Sequence, residues 1–348
     1  MNEIFVHGLG AVSPAGWTVT ELLAAVEANA QLAPSELVTP GKTRPVRVRA
    51  VPPPKQRPAF LAHPRLRRAS PCSQHLVAAA LEALGEDAAA VQAGKLQLGI
   101  VACTMAGGVA YSRRFYEEAM RDPGTASPLI FPETVFNAPA SHLAAYLNSS
   151  AINYSLVGDD GTFVNGLALG AEWLAQDRVE GCIIIGVEEL DWVVAEAARL
   201  FNAKTILSAG AGAVYLKRGQ PRGGDVQQSI VALDAISDPF LFTSQQSRTA
   251  AARRMRQQFP GASDTEALCW GQQDVAAVDE PECAAWSDWT CPRLAPKRLL
   301  GEAFVASAAW QCVAACAALQ AGRYSAVNVS IVGANEQAIG ARFVRATN

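Results

Sequence analysis

The sequence predicts an α/β protein, and three observations carry that prediction. Short apolar stretches with strand composition alternate with stretches that have helical spacing, an order typical of sheets covered by helices. One stretch, "GCIIIGVEEL", is apolar almost throughout, as expected for a strand buried on both faces. The order of strands and helices also repeats along the chain. We therefore expect mostly parallel sheets in two duplicated halves, residues 1–218 and a shorter 219–348.

Composition narrows the class of function. The chain has 348 residues, half of them hydrophobic, and a net charge of −3, which argues against nucleic acid as the main partner. No stretch approaches the roughly 18 apolar residues that span a bilayer, and Glu3 and Gly8 interrupt the first apolar run, so no signal peptide is expected. The eight cysteines form no CxxC pair. We expect buried, reduced thiols in a cytoplasmic protein without a metal or cofactor.

The N-terminal stretch "EIFVHGLGAV" predicts a strand, and the helix after it should begin at Thr18 or Thr20. Gly8 and Gly10 invite a nucleotide-binding interpretation. The next glycine is Gly16 rather than one three residues after Gly10, so the dinucleotide fingerprint fails. The Pro- and Arg-rich segment 33–71 predicts a surface loop with little regular structure.

Residues 219–226 predict a junction between the halves. Before it, helices are predicted at "SPCSQHLVAAALEALGEDAAAV", "VAYSRRFYEEAM" and "PETVFNAPASHLAAYL", and strands at "KLQLGIVACT", "GCIIIGVEEL" and "GAGAVYLKR". After it, strands are predicted at "SIVALDAI", "QDVAAVD" and "AVNVSIVGA", and helices near 247–258 and at "GEAFVASAAWQCVAACAALQAG".

One turn is the candidate site. The stretch "INYSLVGDDGTFVNGLALGAEWL" predicts a strand, a tight polar turn and a helix, and many α/β enzymes place a nucleophile at such a turn. Here the turn carries Asp159 and Asp160. Asp suits a helix N-cap and the positive end of the helix dipole, so we expect Asp160 to cap the helix rather than act as an acid or base. A metal site built from these two and Glu188 and Glu189 is disfavoured, because no His completes the set.

Five segments in order resemble the β-ketoacyl synthase branch of the thiolase fold, over nearly the whole chain. They are "VHGLGAVSPAGWTVTELLAAVEAN", "NAPASHLAAYL", "GCIIIGVEEL", "PKRLLGEAFVASAAWQCVAAC" and "VNVSIVGANEQA". The resemblance implies a layered αβαβα architecture made of two α/β halves. It also implies a chemistry that uses a Cys at the start of a buried helix as acyl acceptor and two histidines that promote decarboxylation and stabilise the enolate.

The residues at the matching positions differ from those of the active family. Asp160 stands where the resemblance places the Cys, with Asp159 as the alternative register. In "KRLLGE" the Lys is retained as Lys297, but Glu302 replaces the His. The histidines are His7, His63, His75 and His142, so the second half has none. We therefore interpret the catalytic site as emptied.

The family includes an inactive partner of this kind, the chain-length factor, which pairs with an active ketosynthase and shapes its acyl tunnel. The resemblance implies that the tunnel wall comes from "GGVAYSRRFYEEAM", here Val109, Ser112 and Tyr116, with Phe115 as the neighbour if the register shifts. The i, i+3, i+7 spacing places the first three on one helical face, although ordinary core packing would give the same pattern. The chain looks more like the reduced subunit of the aryl-polyene type than the aromatic-polyketide type.

The expected function is thus a non-catalytic chain-length-factor subunit in a heterodimer with an active β-ketoacyl synthase, with an acyl carrier protein docking mainly on the partner. Two alternatives stay open. One is a thioester-acting enzyme that uses Cys103, in "VACTMAGG", with His142. The other is a stand-alone acyl-binding scaffold that dimerises with itself.

Overall fold

The computed structural model describes residues 4–150, 152–221, 229–261 and 263–346. Its strands are β1 (Ile4–Val12), β2 (Ser35–Leu37), β3 (Val46–Arg49), β4 (Leu98–Thr104), β5 (Asn153–Val157), β6 (Gly181–Glu188), β7 (Leu207–Ser208), β8 (Gly210–Arg218), β9 (Val231–Ile236), β10 (Phe240–Leu241), β11 (Glu266–Cys269), β12 (Arg293–Leu294), β13 (Ala326–Val332) and β14 (Gln337–Arg345). Its α-helices are α1 (Val19–Ala28), α2 (Pro71–Leu84), α3 (Asp87–Gln92), α4 (Val109–Arg121), α5 (Ala138–Tyr146), α6 (Thr162–Ala175), α7 (Trp192–Phe201), α8 (Gln245–Gln257), α9 (Ala276–Ala285), α10 (Pro296–Leu300) and α11 (Phe304–Gln320).

The main sheet shows that the two halves of the chain share one strand arrangement. Its strand order is β12-β11-β13-β14-β9-β1-β8-β6-β4-β5, with β10 beside β14. From the centre outward, the first half reads β1-β8-β6-β4-β5 and the second reads β9-β14-β13-β11-β12, so strands of matching rank occupy matching places. Within the sheet the two halves join where β1 pairs with β9, at the residue pair Phe5 and Ala232. The predicted junction falls largely on residues 222–226, which lie outside the described residues, and the boundary at 219 stays a prediction.

The expectation of mostly parallel sheets is wrong. In each half the outer pairs are parallel, β4 with β5 and β6, and β11 with β12 and β13. The last strand of each half, β8 or β14, runs antiparallel to both of its main neighbours. The prediction of strand direction failed because β8 and β14 are nearly as buried as the parallel strands. An apolar run indicates a buried strand but not the direction in which it runs.

The layers follow the αβαβα arrangement. Helix α11, buried along nearly its whole length, packs against strands of both halves and against α6, which itself covers β4 and β6. Helices α2 and α5 cover the other face of the first half, and α8 and α9 lie over β13, with α8 also over β14. Gly8 and Gly10 serve this packing, because a Cβ at either would lie within 2 Å of a carbonyl oxygen of α2.

Most predicted elements are confirmed, including the N-cap at Thr18, and two are wrong. The Ala-rich helix is broken at Gly85, where φ is +51°, into α2 and α3. The strand predicted at "QDVAAVD" is the loop before α9 and its first turns, and the neighbouring strand is β11. Asp279 explains the difference, because its carboxylate accepts the backbone N–H groups of Gln273 and Val275 at 3.0 and 2.9 Å and holds a turn there.

Segment 33–71 is largely irregular, as predicted. Its two short strands, β2 and β3, form a small sheet with β7, and two short 3₁₀ turns follow at Ala59–Ala62 and Leu66–Arg68. Within the described residues, no helix is long and apolar enough to cross a bilayer.

Candidate functional site

The acidic turn before α6 meets the start of α11 at a buried lysine. Lys297, on α10, forms ion pairs with Asp160 Oδ2 and with Glu302 Oε2, the latter at 2.9 Å. All three side chains are more than nine-tenths buried. The structure therefore joins the three positions that the sequence assigned to the emptied site, although Asp160 and Lys297 lie 137 residues apart in the chain.

The two carboxylates occupy matching positions in the two halves. Asp160 precedes α6 by two residues, and Glu302 precedes α11 by two residues. Because α6 and α11 are the paired central helices of the duplicated fold, their N-termini approach the same point. Each helix brings a positive dipole end there, and each is preceded by an acidic residue that such an end favours.

The expectation that Asp160 caps α6 is wrong. The N-cap residue is Gly161, with no side-chain cap, and the Asp160 carboxylate turns to Lys297 instead. Asp159 binds backbone: its Oδ1 accepts the Gly161 N–H at 3.1 Å, and its Oδ2 accepts the Glu336 and Gln337 N–H groups at 3.0 and 3.3 Å. Of the two register alternatives, Asp160 is thus the residue that faces Lys297, and Asp159 ties the turn to the loop before β14.

Glu302 is held by four donors. Its Oε1 accepts the Phe304 N–H and the Ser307 hydroxyl, both at 2.7 Å, so it caps the start of α11. Its Oε2 accepts Lys297 Nζ and the side-chain amide of Gln273, the latter at 2.5 Å. The backbone at Gly301 sets the position of Glu302. Gly301 has a φ of +94°, and a Cβ on it would lie 2.8 Å from the Ile206 carbonyl oxygen.

The electrostatics keep the lysine charged. Burial alone lowers the pKa of Lys297, but Asp160 and Glu302 outweigh it and the net shift is upward. Burial, and next the Asp160 charge, raise the pKa of Glu302. An ammonium held in this way donates hydrogen bonds and does not serve as a nucleophile or base at neutral pH.

A cavity of about 750 Å³ opens over the three side chains. Its polar wall includes Gln273, Glu282 and Arg248, and apolar side chains of α7 and α9 line its mouth, among them Phe201, which is 92% exposed. Sequence reasoning did not find these three polar residues. They are scattered over the second half, and no motif marks them.

The remaining acidic residues have separate partners. Glu188 accepts the N–H groups of Met105 and Ala106, and Glu189 accepts those of Ala110 and Cys72. Burial raises their pKa values to about 8 and about 7. Among the described residues, no group of three or more His, Cys, Asp or Glu side chains is placed to hold a metal ion.

The structure contradicts the alternative that uses Cys103 as an exposed nucleophile. The Cys103 side chain is fully buried on β4, and burial raises the pKa of its thiol. A Cβ at Gly166 would lie 2.7 Å from its sulfur, so it packs under α6. His142, the expected base, has its Nε2 at 2.5 Å from Glu133 Oε1.

The predicted tunnel residues lie on α4 and do not line this cavity. Val109, Ser112, Phe115 and Tyr116 are not among its lining residues. Tyr116 is 62% exposed, and the Phe115 ring packs on Phe131 with 5.3 Å between centroids. Their role stays a prediction.

The chain has the thiolase fold, which it shares with solved ketosynthase structures. The ishigamide ketosynthase/chain length factor superposes with a TM-score of 0.78 at 18% identity, over 99% of this chain and 100% of that one. A type II PKS acyl-carrier protein in complex with its ketosynthase bound to the hexaketide gives 0.77 at 15% identity, over 99% of each chain.

A β-ketoacyl synthase from Burkholderia phymatum STM815 gives 0.78 at 15% identity, over the full length of both chains. At these identities the likeness establishes the fold. No protein-family model and no curated protein matches the sequence.

Glu188→Gln should change how stability depends on pH. The folded-state pKa of Glu188 is raised from 4.5 to about 8. Its contribution to the free energy of unfolding is therefore fully present below pH 4.5 and is lost as the pH rises through 8. The expected slope is up to about 1.4 kcal/mol per pH unit in that window. Thermal unfolding of both proteins from pH 5 to 8.5 should show the difference between their melting temperatures shrinking or reversing toward high pH. Parallel curves would contradict the assignment.

Lys297→Met should destabilise strongly, because it leaves two buried carboxylates without their cation. The expected loss of unfolding free energy is about 3–5 kcal/mol, and it should be smaller in an Asp160→Asn background. Lys217→Met is the matched control, since Lys217 pairs with Asp87 at a partly exposed site where a loss under about 1 kcal/mol is expected. Urea unfolding measures the three single variants and the double variant against the unmodified chain. Equal losses of unfolding free energy for the two lysine variants would refute the role of Lys297 as the cation of a buried cluster.

Proposed function

We propose that the chain is a non-catalytic, chain-length-factor subunit that pairs with an active β-ketoacyl-ACP synthase. The observation that carries the proposal is the Asp160–Lys297–Glu302 cluster, at the positions that the resemblance assigns to catalytic residues. Proteins with the same fold include a ketosynthase/chain length factor and a ketosynthase bound to its carrier protein. These neighbours support the same proposal.

The cluster cannot perform the acyl transfer that the fold supports in active relatives. That chemistry needs a thiolate to accept the acyl group and imidazoles to promote decarboxylation. Asp160 offers a carboxylate tied to Lys297, and no His stands after residue 142. Gln273 and Ser307 complete the shell around Glu302 and provide no titrating group near neutral pH.

An open sheet edge and an apolar surface support a protein partner. Among the described residues, β5 pairs with β4 on one side only, and Tyr154 and Val157 on it are 49% and 52% exposed. An unpaired edge with large apolar side chains is a site where another chain can add. Further exposed apolar residues follow along and after α4: Tyr116, Met120, Leu129, Phe131, Val135 and Phe136. Together, β5 and these residues form the surface that we assign to the ketosynthase.

The same surface explains how α4 would shape a tunnel. Since Val109, Ser112, Phe115 and Tyr116 lie outside this chain's own cavity, a tunnel that they wall must be completed by the partner. Tyr116 is the bulky, exposed member and would shorten the space for an acyl chain. The carrier protein would deliver its chain to the partner, which holds the nucleophile.

Co-expression with the ketosynthase encoded nearest to the chain tests pairing. We expect a one-to-one complex in size-exclusion chromatography with light scattering. We also expect malonyl-thioester decarboxylation by the complex and none by this chain alone. Val157→Lys, at the open edge, should weaken the affinity of the complex at least tenfold, because a buried unpaired charge is costly. Val38→Lys is the control, since Val38 is 74% exposed elsewhere. A homodimer that excludes the ketosynthase, or turnover by the chain alone, would overturn the proposal.

Tyr116→Ala tests the tunnel assignment. Removing an aromatic ring from the wall should lengthen the main product of the complex by one or more extension cycles, measured by mass spectrometry of the released chains. Leu241→Ala removes an apolar side chain that is 72% exposed in the second half and should leave product length unchanged. An unchanged product with Tyr116→Ala would remove this residue from the tunnel.

A further inference from the structure

Helix α4 is held in place with little help from the core. None of its 13 residues is buried, and its N-cap residue, Gly108, provides no side-chain cap. Within the described residues it packs mainly on the 3₁₀ turn Phe131–Glu133, where the Phe115 ring meets Phe131. Most helices in proteins are stabilised chiefly by burying an apolar face. Other contacts must therefore fix the position of α4.

A buried glutamate directly after β6 replaces the missing cap. Glu189 Oε1 accepts the N–H of Ala110, in the first turn of α4, at 2.5 Å. Its Oε2 accepts the N–H of Cys72, in the first turn of α2, at 3.4 Å, and Glu189 is only 3% exposed. A carboxylate at a helix N-terminus satisfies an N–H that has no partner within the helix, and it lies at the positive end of the dipole. One carboxylate thus joins the starts of α4 and α2.

An aspartate two residues later holds the next turn of α4. The Asp191 carboxylate accepts hydrogen bonds from the Arg113 guanidinium over three contacts of 3.0 to 3.2 Å. Its Oδ1 also accepts the Val193 N–H at 2.9 Å, so Asp191 is the N-cap of α7. A guanidinium–carboxylate pair with several contacts is directional as well as strong. The pair therefore restrains both the rotation of α4 and its distance from α7.

We propose that Glu189 and Asp191 are positioning residues, which hold α4, and with it Tyr116, in one place and so determine the length of the acyl product. The inference rests on the proposed function, in which α4 walls the tunnel. Both side chains are buried, so neither would touch the acyl chain and each acts through α4. Without these contacts a wall helix that buries none of its residues would sample several positions, and the tunnel would have no single length.

Hydrogen–deuterium exchange of the full chain tests the anchoring without a partner. In Glu189→Ala and in Arg113→Met, peptides that cover residues 109–121 should exchange about tenfold faster or more, because α4 then opens at a lower cost in free energy. Arg113 is partly exposed on α4, so Arg113→Met keeps the test decisive if Glu189→Ala does not fold. Unchanged exchange of α4 in these variants overturns the proposal.

Glu82→Ala is the matched control. The Glu82 carboxylate also accepts two backbone N–H groups, those of Ala11 and of Val19 at the start of α1, at 2.9 and 2.8 Å. Its loss should speed exchange at the start of α1 and leave the exchange of α4 unchanged. An equal rise at α4 in Glu82→Ala would mean that general loss of stability, rather than the two anchors, loosens α4, and it would overturn the proposal.

Product length tests the consequence for the tunnel. In the complex with the ketosynthase, Glu189→Gln leaves one acceptor for two N–H groups. Asp191→Asn keeps an oxygen to cap α7 but loses the charge that pairs with Arg113. Both variants should broaden the distribution of chain lengths by one or more extension cycles, at an unchanged rate of malonyl-thioester decarboxylation. Glu82→Gln should keep the product of the unmodified complex. A lower rate with an unchanged product indicates a merely structural role and overturns the proposal.

Tyr116→Ala separates this inference from the proposed function. If Tyr116→Ala changes product length and the Glu189 and Asp191 variants do not, the positioning role is wrong and the tunnel assignment stands. If none of the three changes product length, α4 is not a tunnel wall and both are wrong. If no complex forms, the proposed function and the effect on product length both fail, whereas the exchange measurement still decides whether these residues anchor α4.

Discussion

The buried ammonium of Lys297 is the interaction on which the site depends. It joins the turn before α6, the short helix α10 and the start of α11. Taking three charged groups out of water is costly, and the cost is recovered only while each keeps its partners. The cluster therefore restrains both central helices at their N-termini, at the positions that the sequence resemblance assigns to catalytic residues.

Duplication of the fold makes the cluster possible. Each half sends one helix into the central layer, and the residue two positions before each helix is acidic. The lysine between Asp160 and Glu302 neutralises one of the two charges and hydrogen-bonds both. The site therefore follows the symmetry of the fold, and its three charged groups form an ion cluster that joins the two halves.

Under the proposed function, the surface that would bind a partner does not include this cluster. The open edge of β5 and the exposed apolar residues along and after α4 are the surface that we assign to a protein partner. The cavity over the cluster has a volume in the range of small-molecule sites.

The sequence by itself determined the α/β class, the repeated element order, the positions of Asp160, Lys297 and Glu302, and the lack of histidine after residue 142, because composition and periodicity are local. Only the tertiary structure decided that β8 and β14 run antiparallel, that Asp160 rather than Asp159 faces the lysine, and that Arg248, Gln273 and Glu282 share its cavity. These outcomes depend on contacts between residues far apart in the chain, such as the 137 positions between Asp160 and Lys297. Local propensity made Asp160 a helix cap, and a buried cation from the other half outweighed it.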